Sequence, residues 1–208
     1  MACCCKLICL GCCHANKQRQ LAQRLQPQCI FCRCSVSESE EQVNIKIMKR
    51  IEANDPVAMY QKGGNLCING DYKKALGYLS KAAAMGNVDA HFNLASMYQK
   101  GDGVEKDEEK EVYHLEQAAI GGNPDARTNL AGIEGGNGRE DRSIKHLIIG
   151  ANMGHDKSLG AIKSLFQLGA VSKEDFAAVL RGHQAAVDAT KSPQREEADA
   201  FLSQRGYL

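Results

Sequence analysis

NVDAHFNLASMYQKGDGVEKDEEKEVYHLEQAAIGG, residues 87–122, is the stretch whose pattern decides how this chain folds. Asn87 is placed to cap a helix whose apolar face is Ala90, Leu94, Ala95 and Tyr98. The segment from Gly101 to Lys106 breaks that face. A second face follows in Val112, Leu115, Ala118 and Ala119, and Gly121 with Gly122 stops it. The stretch predicts helix, loop, helix, stop.

The pattern recurs on both sides. Gly86, Gly122 and Gly154 stand 36 and then 32 residues apart, and each is followed by Asn87, Asn123 or His155, with Asp55 in the same slot one unit upstream. Three of these four residues are good N-caps. Pro56 and Pro124 share the next slot, where a helix tolerates proline because that amide has no intrahelical partner. Ala58, Ala90 and Ala126 coincide, as do Gly63, Ala95 and Ala131, so small residues recur where two helices must approach closely. The four-residue difference in spacing falls between Gly101 and Asp107, where it leaves the phase of both helices intact. A single helical hairpin cannot bury its apolar face, so consecutive hairpins stack on their neighbours. The expected fold is all-α: an α-solenoid of stacked helical hairpins, with a small cysteine-rich module at the N-terminus.

The runs NVDAHFNLASMY (87–98), KGDGVEKD (100–107) and KAAAMG (81–86) resemble Sel1-like repeats, a branch of the tetratricopeptide type. The resemblance covers residues 54–154 and is strongest in the central unit. The first unit has NGDY (69–72) at its loop, and the third has GGNG (135–138). The resemblance implies an adaptor that holds a partner protein or peptide in a groove. Register alone offers His91, Asn93, Arg127 and Asn129 as groove residues, because the first and third share one slot and the second and fourth another.

Cysteine usage sets the front of the chain apart. Nine of the ten cysteines lie in the first 34 residues, and Cys67 is alone in a repeat helix. The apolar run from Ala2 to Cys13 is interrupted by Lys6 and is too short to span a bilayer, so neither a signal peptide nor a transmembrane segment is expected. A reducing, intracellular setting, cytoplasmic or nuclear, turns clustered cysteines toward metal. Cys9-x2-Cys12 and Cys29-x2-Cys32 are separated by 16 residues, a spacing that suits zinc because two thiolates on one turn take adjacent tetrahedral positions. The same stretch resembles the C-terminal part of a RING finger, with Cys4 in the place of the third ligand but Lys6 where that pattern has histidine. Two arrangements are open: Cys29 and Cys32 with two of Cys3, Cys4 and Cys5, or one site of Cys9, Cys12, Cys29 and Cys32. The RING resemblance implies, as the alternative function, an E3 ubiquitin ligase or a fragment of one that recruits a ubiquitin-conjugating enzyme. Palmitoylation of cysteines beside the apolar run is a third reading.

Net charge is +1, which gives no global signal for nucleic acid; the first 35 residues carry five cations and no acidic residue, a local excess expected on a solvated face. The organisation expected is residues 1–36 as the cysteine-rich module, 37–53 as linker and lead-in helix, 54–154 as repeats and 155–208 as capping helices. In the lead-in helix Val43, Ile47 and Ile51 form the stripe, broadened by Ile45 and Met48, and are expected to cover the first repeat. Leu159, Ile162, Leu165, Phe166 and Leu168 predict a helix ended by Gly169; Ser172 opens the next, with Phe176, Val179, Leu180 and Val187 facing inward; and Pro193 opens a last helix reaching Ser203.

Several tempting residues dissolve in the register. His114 and His146 occupy the slot of Tyr78 and read as packing aromatics. Gly132 to Gly138 reads as an inter-helix turn, since it lacks the strand and Lys-Ser/Thr of a phosphate loop. Ser158 lies outside a G-x-S-x-G spacing. The acidic cluster of Asp102, Glu105, Asp107, Glu108 and Glu109 misses the EF-hand spacing and reads as a solvated loop and helix start. The chain is expected to be a scaffold rather than a catalyst.

Overall fold

A computed structural model of the chain describes residues 10–23 and 40–203. Every regular element among them is an α-helix, eleven in all. Two compact units result, one of residues 55–189 and one that joins residues 1–54 with 190–208.

The 55–189 unit is the repeat stack. Its first six helices are α3 (Pro56–Ile68), α4 (Tyr72–Ala84), α5 (Val88–Lys100), α6 (Glu108–Ile120), α7 (Pro124–Gly136) and α8 (Glu140–Asn152), each 13 residues long. They pair as hairpins α3 with α4, α5 with α6 and α7 with α8, and each hairpin packs on the next through α4 with α5 and α6 with α7. The four extra residues lie where the spacing placed them, between α5 and α6, while α3–α4 and α7–α8 are joined by three residues.

One device repeats at nearly every helix end. Gly86 and Asn87 turn their amides back onto the carbonyls of Ala83 (2.8 Å) and Ala82 (3.0 Å), and Gly122 with Asn123 does the same to Ala119 and Ala118. This Schellman closure needs a left-handed residue, and the glycines supply it at φ +81° and +91°. The residue after the glycine then starts the next helix: Asn87 accepts from the Ala90 amide at 2.8 Å and Asn123 from the Ala126 amide at 2.9 Å. Stop and start share two residues, which forces each helix to fold back on its predecessor. Asn54, at φ +55°, holds the glycine slot ahead of Asp55. Asparagine is the residue that best tolerates this region after glycine, so the register begins at Asn54, two residues before Pro56 in the first proline slot. His155 keeps its slot before α9 (Asp156–Gln167) but makes no side-chain cap bond.

The small residues sit where two helices approach closely, within a hairpin or between neighbouring ones. Ala58, Ala90 and Ala126 are fully buried, and a Cβ on Gly63 would stand 2.7 Å from Leu79 Cγ. Around Leu115 and Leu130 the core gathers Ala95, Ala118, Ala119 and Ala126, with Phe92 and Val112 half-buried against it. At the third junction the pairing changes. Ser158 takes the slot of Ala90 and Ala126, and Gly150 takes that of Ala82 and Ala118; a Cβ on Gly150 would lie 2.3 Å from Ser158 Oγ. The larger side chain on one helix is matched by the missing one on the other.

α9 and α10 (Lys173–Ala189) end the stack, α10 packing on both α8 and α9. Ser172 caps α10 through the Asp175 amide at 3.0 Å, and Phe166 stacks on Phe176 with ring centroids 4.4 Å apart. Leu180 departs from the inward role expected of it, being 43% exposed, because it falls on the outer side of α10 once Val179 is buried; Leu168, the residue that closes α9 ahead of Gly169, is 80% exposed. Gly132, Gly135 and Gly136 also depart from expectation: α7 runs through all three, and only Asn137 to Arg139 form the turn. Tertiary packing on α8, where Gly135 meets Ser143, outweighs their weak helix propensity.

In the other unit α1 (Leu10–Ala22) packs against α11 (Pro193–Ser203), with Lys17 Nζ 5.8 Å from the centre of the Phe201 ring. α2 (Glu40–Glu52) forms where the lead-in helix was expected. Ile47 is buried there, but Ile45 and Met48 are 50% and 37% exposed, so the stripe is narrower than the sequence reading gave.

Candidate functional site

The four groove candidates lie on α5 and α7 but divide into two kinds. Asn93 is half-buried and Asn129 exposed, and neither side chain has a hydrogen-bond partner among the described residues. His91 and Arg127 are engaged. Arg127 donates to the Ala119 carbonyl at 3.2 Å, and His91 bonds the backbone of Ala83, the same position one repeat earlier. This slot therefore ties each repeat to the last turn of the helix before it.

His91 also meets His114, their Nδ1 atoms 2.9 Å apart. One hydrogen serves both nitrogens, so a second proton would press two cations together. Burial first, and then the charge of His91, depresses His114 to about 4; burial likewise lowers His91. His114 stacks on Tyr98 at 5.7 Å and 8°, with Lys110 Nζ over the Tyr98 ring at 5.2 Å, which is the packing-aromatic role its slot indicated. In the next repeat the corresponding pair is Arg127 and His146. Burial and then Arg127 lower the His146 pKa, and Arg127 Nε and His146 Nδ1 are both buried without a partner.

Asp125, His155 and Ser158 come together in the order of a catalytic triad. His155 Nδ1 is 2.9 Å from Ser158 Oγ, and His155 Nε2 is 3.4 Å from Asp125 Oδ1. Proton accounting assigns them a different role. The Thr128 hydroxyl donates to the Pro124 carbonyl at 3.1 Å, so Ser158, 2.9 Å away, donates to Thr128, and His155 must donate to Ser158. The imidazole faces the serine with its proton rather than its lone pair, and Ser158 is fully buried. The cluster locks the third repeat to α9, and Asp125 is held below the usual carboxylate range chiefly by its hydrogen bond to Lys157.

The open surface lies along α6 and α7. A cavity of about 400 Å³ has Val112, Leu130 and Ile133 as its floor, with Tyr113, 53% exposed, at its edge. A second, of about 520 Å³, continues it toward Tyr98 and Gln99, sharing Glu108, Ile133 and Asn137. Glu108, Glu109 and Glu116 form one wall. Across from them Glu134 is already paired, with Arg139 and with Arg142 at 3.2 Å, and its carboxyl is held below the ordinary range by the Arg139 hydrogen bond. None of His91, Asn93, Arg127 or Asn129 lines either cavity. Sequence reasoning assigned Glu108 and Glu109 to a helix start and Val112 to an apolar helix face, and passed over Tyr113, Glu116, Leu130 and Ile133. The spacing of Glu108, Glu109, Val112, Tyr113 and Glu116, at i, i+1, i+4, i+5 and i+8, was the available signal for a shared helix face.

Of the cysteines offered as zinc ligands, Cys12 falls in the first turn of α1, while Cys4, Cys9, Cys29 and Cys32 lie outside the described residues. Cys67 is half-buried, its thiol pushed up by burial and then by Asp102. Among the described residues no helix is long and apolar enough to cross a membrane.

The family model of the Sel1 repeat matches residues 57–87 and 88–123, each match spanning one hairpin and the cap of the next. The third hairpin, α7 with α8, has the same helices without a match. No curated protein matches the chain. Among solved structures, a Sel1 repeat protein from Oxalobacter formigenes aligns with a TM-score of 0.58 at 25% identity, over 78% of this chain and 68% of that one. A protective antigen present in uropathogenic Escherichia coli strains, displaying an SLR fold, aligns with a TM-score of 0.57 at 18% identity. This chain is covered over 78% of its length in that alignment and spans 37% of the antigen. Residues 57–123 thus carry two Sel1-type repeats within a helical solenoid that the structure extends by a third hairpin.

Proposed function

We propose that the 55–189 unit is a protein-interaction scaffold that holds a peptide or a segment of a partner protein. The observation that supports this most directly is the continuous trough along α6 and α7, apolar at its floor and polar at its walls. The slots of the buried alanines and of His91 and Arg127 are consumed in holding the hairpins together, whereas exposed positions remain free for recognition. The Sel1-type repeats point the same way. Asn93 and Asn129, unengaged on the same slot of α5 and α7, are proposed as a further contact pair, with His91 and Arg127 beside them. The test is selection of binders from a random peptide library on the reduced full chain, followed by affinity measurements on Asn93→Ala with Asn129→Ala. Failure to enrich any peptide sinks the scaffold reading; unchanged affinity in the double variant removes the asparagines from the site.

The cysteine pairs support zinc binding within the same reading, since four thiolates from two C-x2-C turns fit a tetrahedral ion. Cys9, Cys12, Cys29 and Cys32 would hold it, stabilising the front of the chain. Elemental analysis of the full chain and of a form lacking residues 1–36 tests this: one equivalent of zinc lost with the deletion is expected, and no zinc in either removes the proposal. Ubiquitin transfer in the presence of a ubiquitin-conjugating enzyme, lost in Cys29→Ser, would extend the reading to a ligase.

A further inference from the structure

Resting on the scaffold reading, we infer that the trough between α6 and α7 selects a cationic segment of a partner protein, one in which lysine or arginine flanks an aliphatic side chain. The floor formed by Val112, Leu130 and Ile133 belongs to a packed core cluster, so it is a preformed apolar surface rather than a gap between mobile loops. An aliphatic side chain laid on it leaves water without losing a hydrogen bond.

The walls decide the charge. Glu108, Glu109 and Glu116 are exposed, and none of them has a lysine or arginine in ion-pairing range among the described residues. Of the cations nearby, Lys110 is committed to Asp107 at 2.8 Å and Arg139 and Arg142 to Glu134; Lys106, which lines the second cavity, is a single charge against the three glutamates. His146, which Glu116 faces, has its pKa lowered by burial and by Arg127 and so adds no charge at neutral pH. Glu108 and Glu109 also favour the positive start of α6, which accounts for part of their presence. Glu116, two turns further along, gains nothing from that end and still points to the same trough. Among the described residues no group of three or more His, Cys, Asp or Glu is placed to hold a metal ion, so a cation delivered on a peptide suits this wall better than a bare one. The combined cavities hold a few residues of chain, and contacts at an open rim are individually weak, so recognition is expected to be salt-dependent with a Kd on the order of 10 to 100 μM.

The experiment is fluorescence anisotropy of the full chain, reduced, with three labelled octapeptides: lysine alternating with leucine, glutamate alternating with leucine, and lysine alternating with serine. Binding of the first alone is expected. It should weaken about tenfold in Glu108→Gln/Glu109→Gln/Glu116→Gln, and about twofold in Glu116→Gln alone, where no helix-start effect intervenes. Glu140→Gln/Asp141→Gln, on the exposed start of α8, should leave it unchanged, and melting curves of all variants confirm folding. Equal binding of the serine peptide shows charge attraction without the apolar floor and overturns the inference. So does glutamate-variant affinity equal to that of the parent. Sedimentation of the chain alone provides the remaining check: self-association abolished by the triple variant means that a second copy fills the trough, which also overturns the inference. Enrichment of neutral or acidic library peptides whose affinity ignores the glutamates defeats this inference while leaving the scaffold reading intact.

Discussion

The contact between His91 and His114 makes the stability of the central repeat depend on pH, and His114→Tyr isolates the effect. His114 is depressed to about 4 in the fold, against an ordinary value of 6.5. In the unfolded chain it takes up a proton as pH falls through about 6.5, whereas the folded chain resists until about 4, so the unfolded state binds more protons in between. Stability is complete above about pH 7 and declines from there to about pH 4. Between about pH 7.5 and pH 5 the linkage comes to ~2 kcal/mol, and solvent access to the half-buried ring reduces it to ~1 kcal/mol. Tyrosine already fills this slot in the preceding repeat, as Tyr78, and can stack on Tyr98 as His114 does. His114→Tyr is therefore expected to match the parent within ~1 kcal/mol at neutral pH and to lose ~1 kcal/mol less on acidification. His91 keeps its own burial and its bond to Ala83 in the variant but loses its His114 partner, so the difference between the two curves reads the His91–His114 contact as a pair. Urea unfolding followed by circular dichroism across this pH range measures the difference, and nuclear magnetic resonance titration of the imidazoles reads the pKa itself. Parallel stability curves for the two proteins, or a His114 that titrates at its ordinary value in the folded chain, would refute the reasoning.

Three further outcomes follow from the packing. Gly150→Ala should destabilise the chain by about 1 to 3 kcal/mol through the clash with Ser158 Oγ, and Gly150→Ala with Ser158→Ala should recover much of that loss, giving a favourable coupling in a double-mutant cycle of thermal or urea unfolding. Gly122→Ala forces a Cβ into φ +91° and should cost about 1 to 2 kcal/mol, whereas Asn54→Gly relieves the mild strain of φ +55° and should change stability by less than ~1 kcal/mol. Ser158, buried and approached by a protonated His155 nitrogen, should not react with a fluorophosphonate probe; a mass increase on Ser158 would overturn the structural role given to that cluster.

The sequence by itself determined the fold of the repeats, because every rule that builds them is local. Asn87 and Asn123 cap, Gly86 and Gly122 reverse the chain, and the periodic alanines mark the faces that touch; each acts within one turn of its own position. Asn54 escaped notice because it fills a glycine slot with a residue whose left-handed tolerance shows only in the backbone angle. The glycines of α7 misled for the opposite reason: their local preference was against helix, and contact with α8 overruled it. What the tertiary structure alone decided is which residues share a surface. His91 and Arg127 turned out to bond the preceding helix, Ser158 to be sealed against its triad-like neighbours, and Leu130 and Ile133 of α7 to complete a trough beside the glutamate face of α6. Those relations join helices distant in sequence, and their distances depend on how two packed faces meet, which no spacing along one helix encodes.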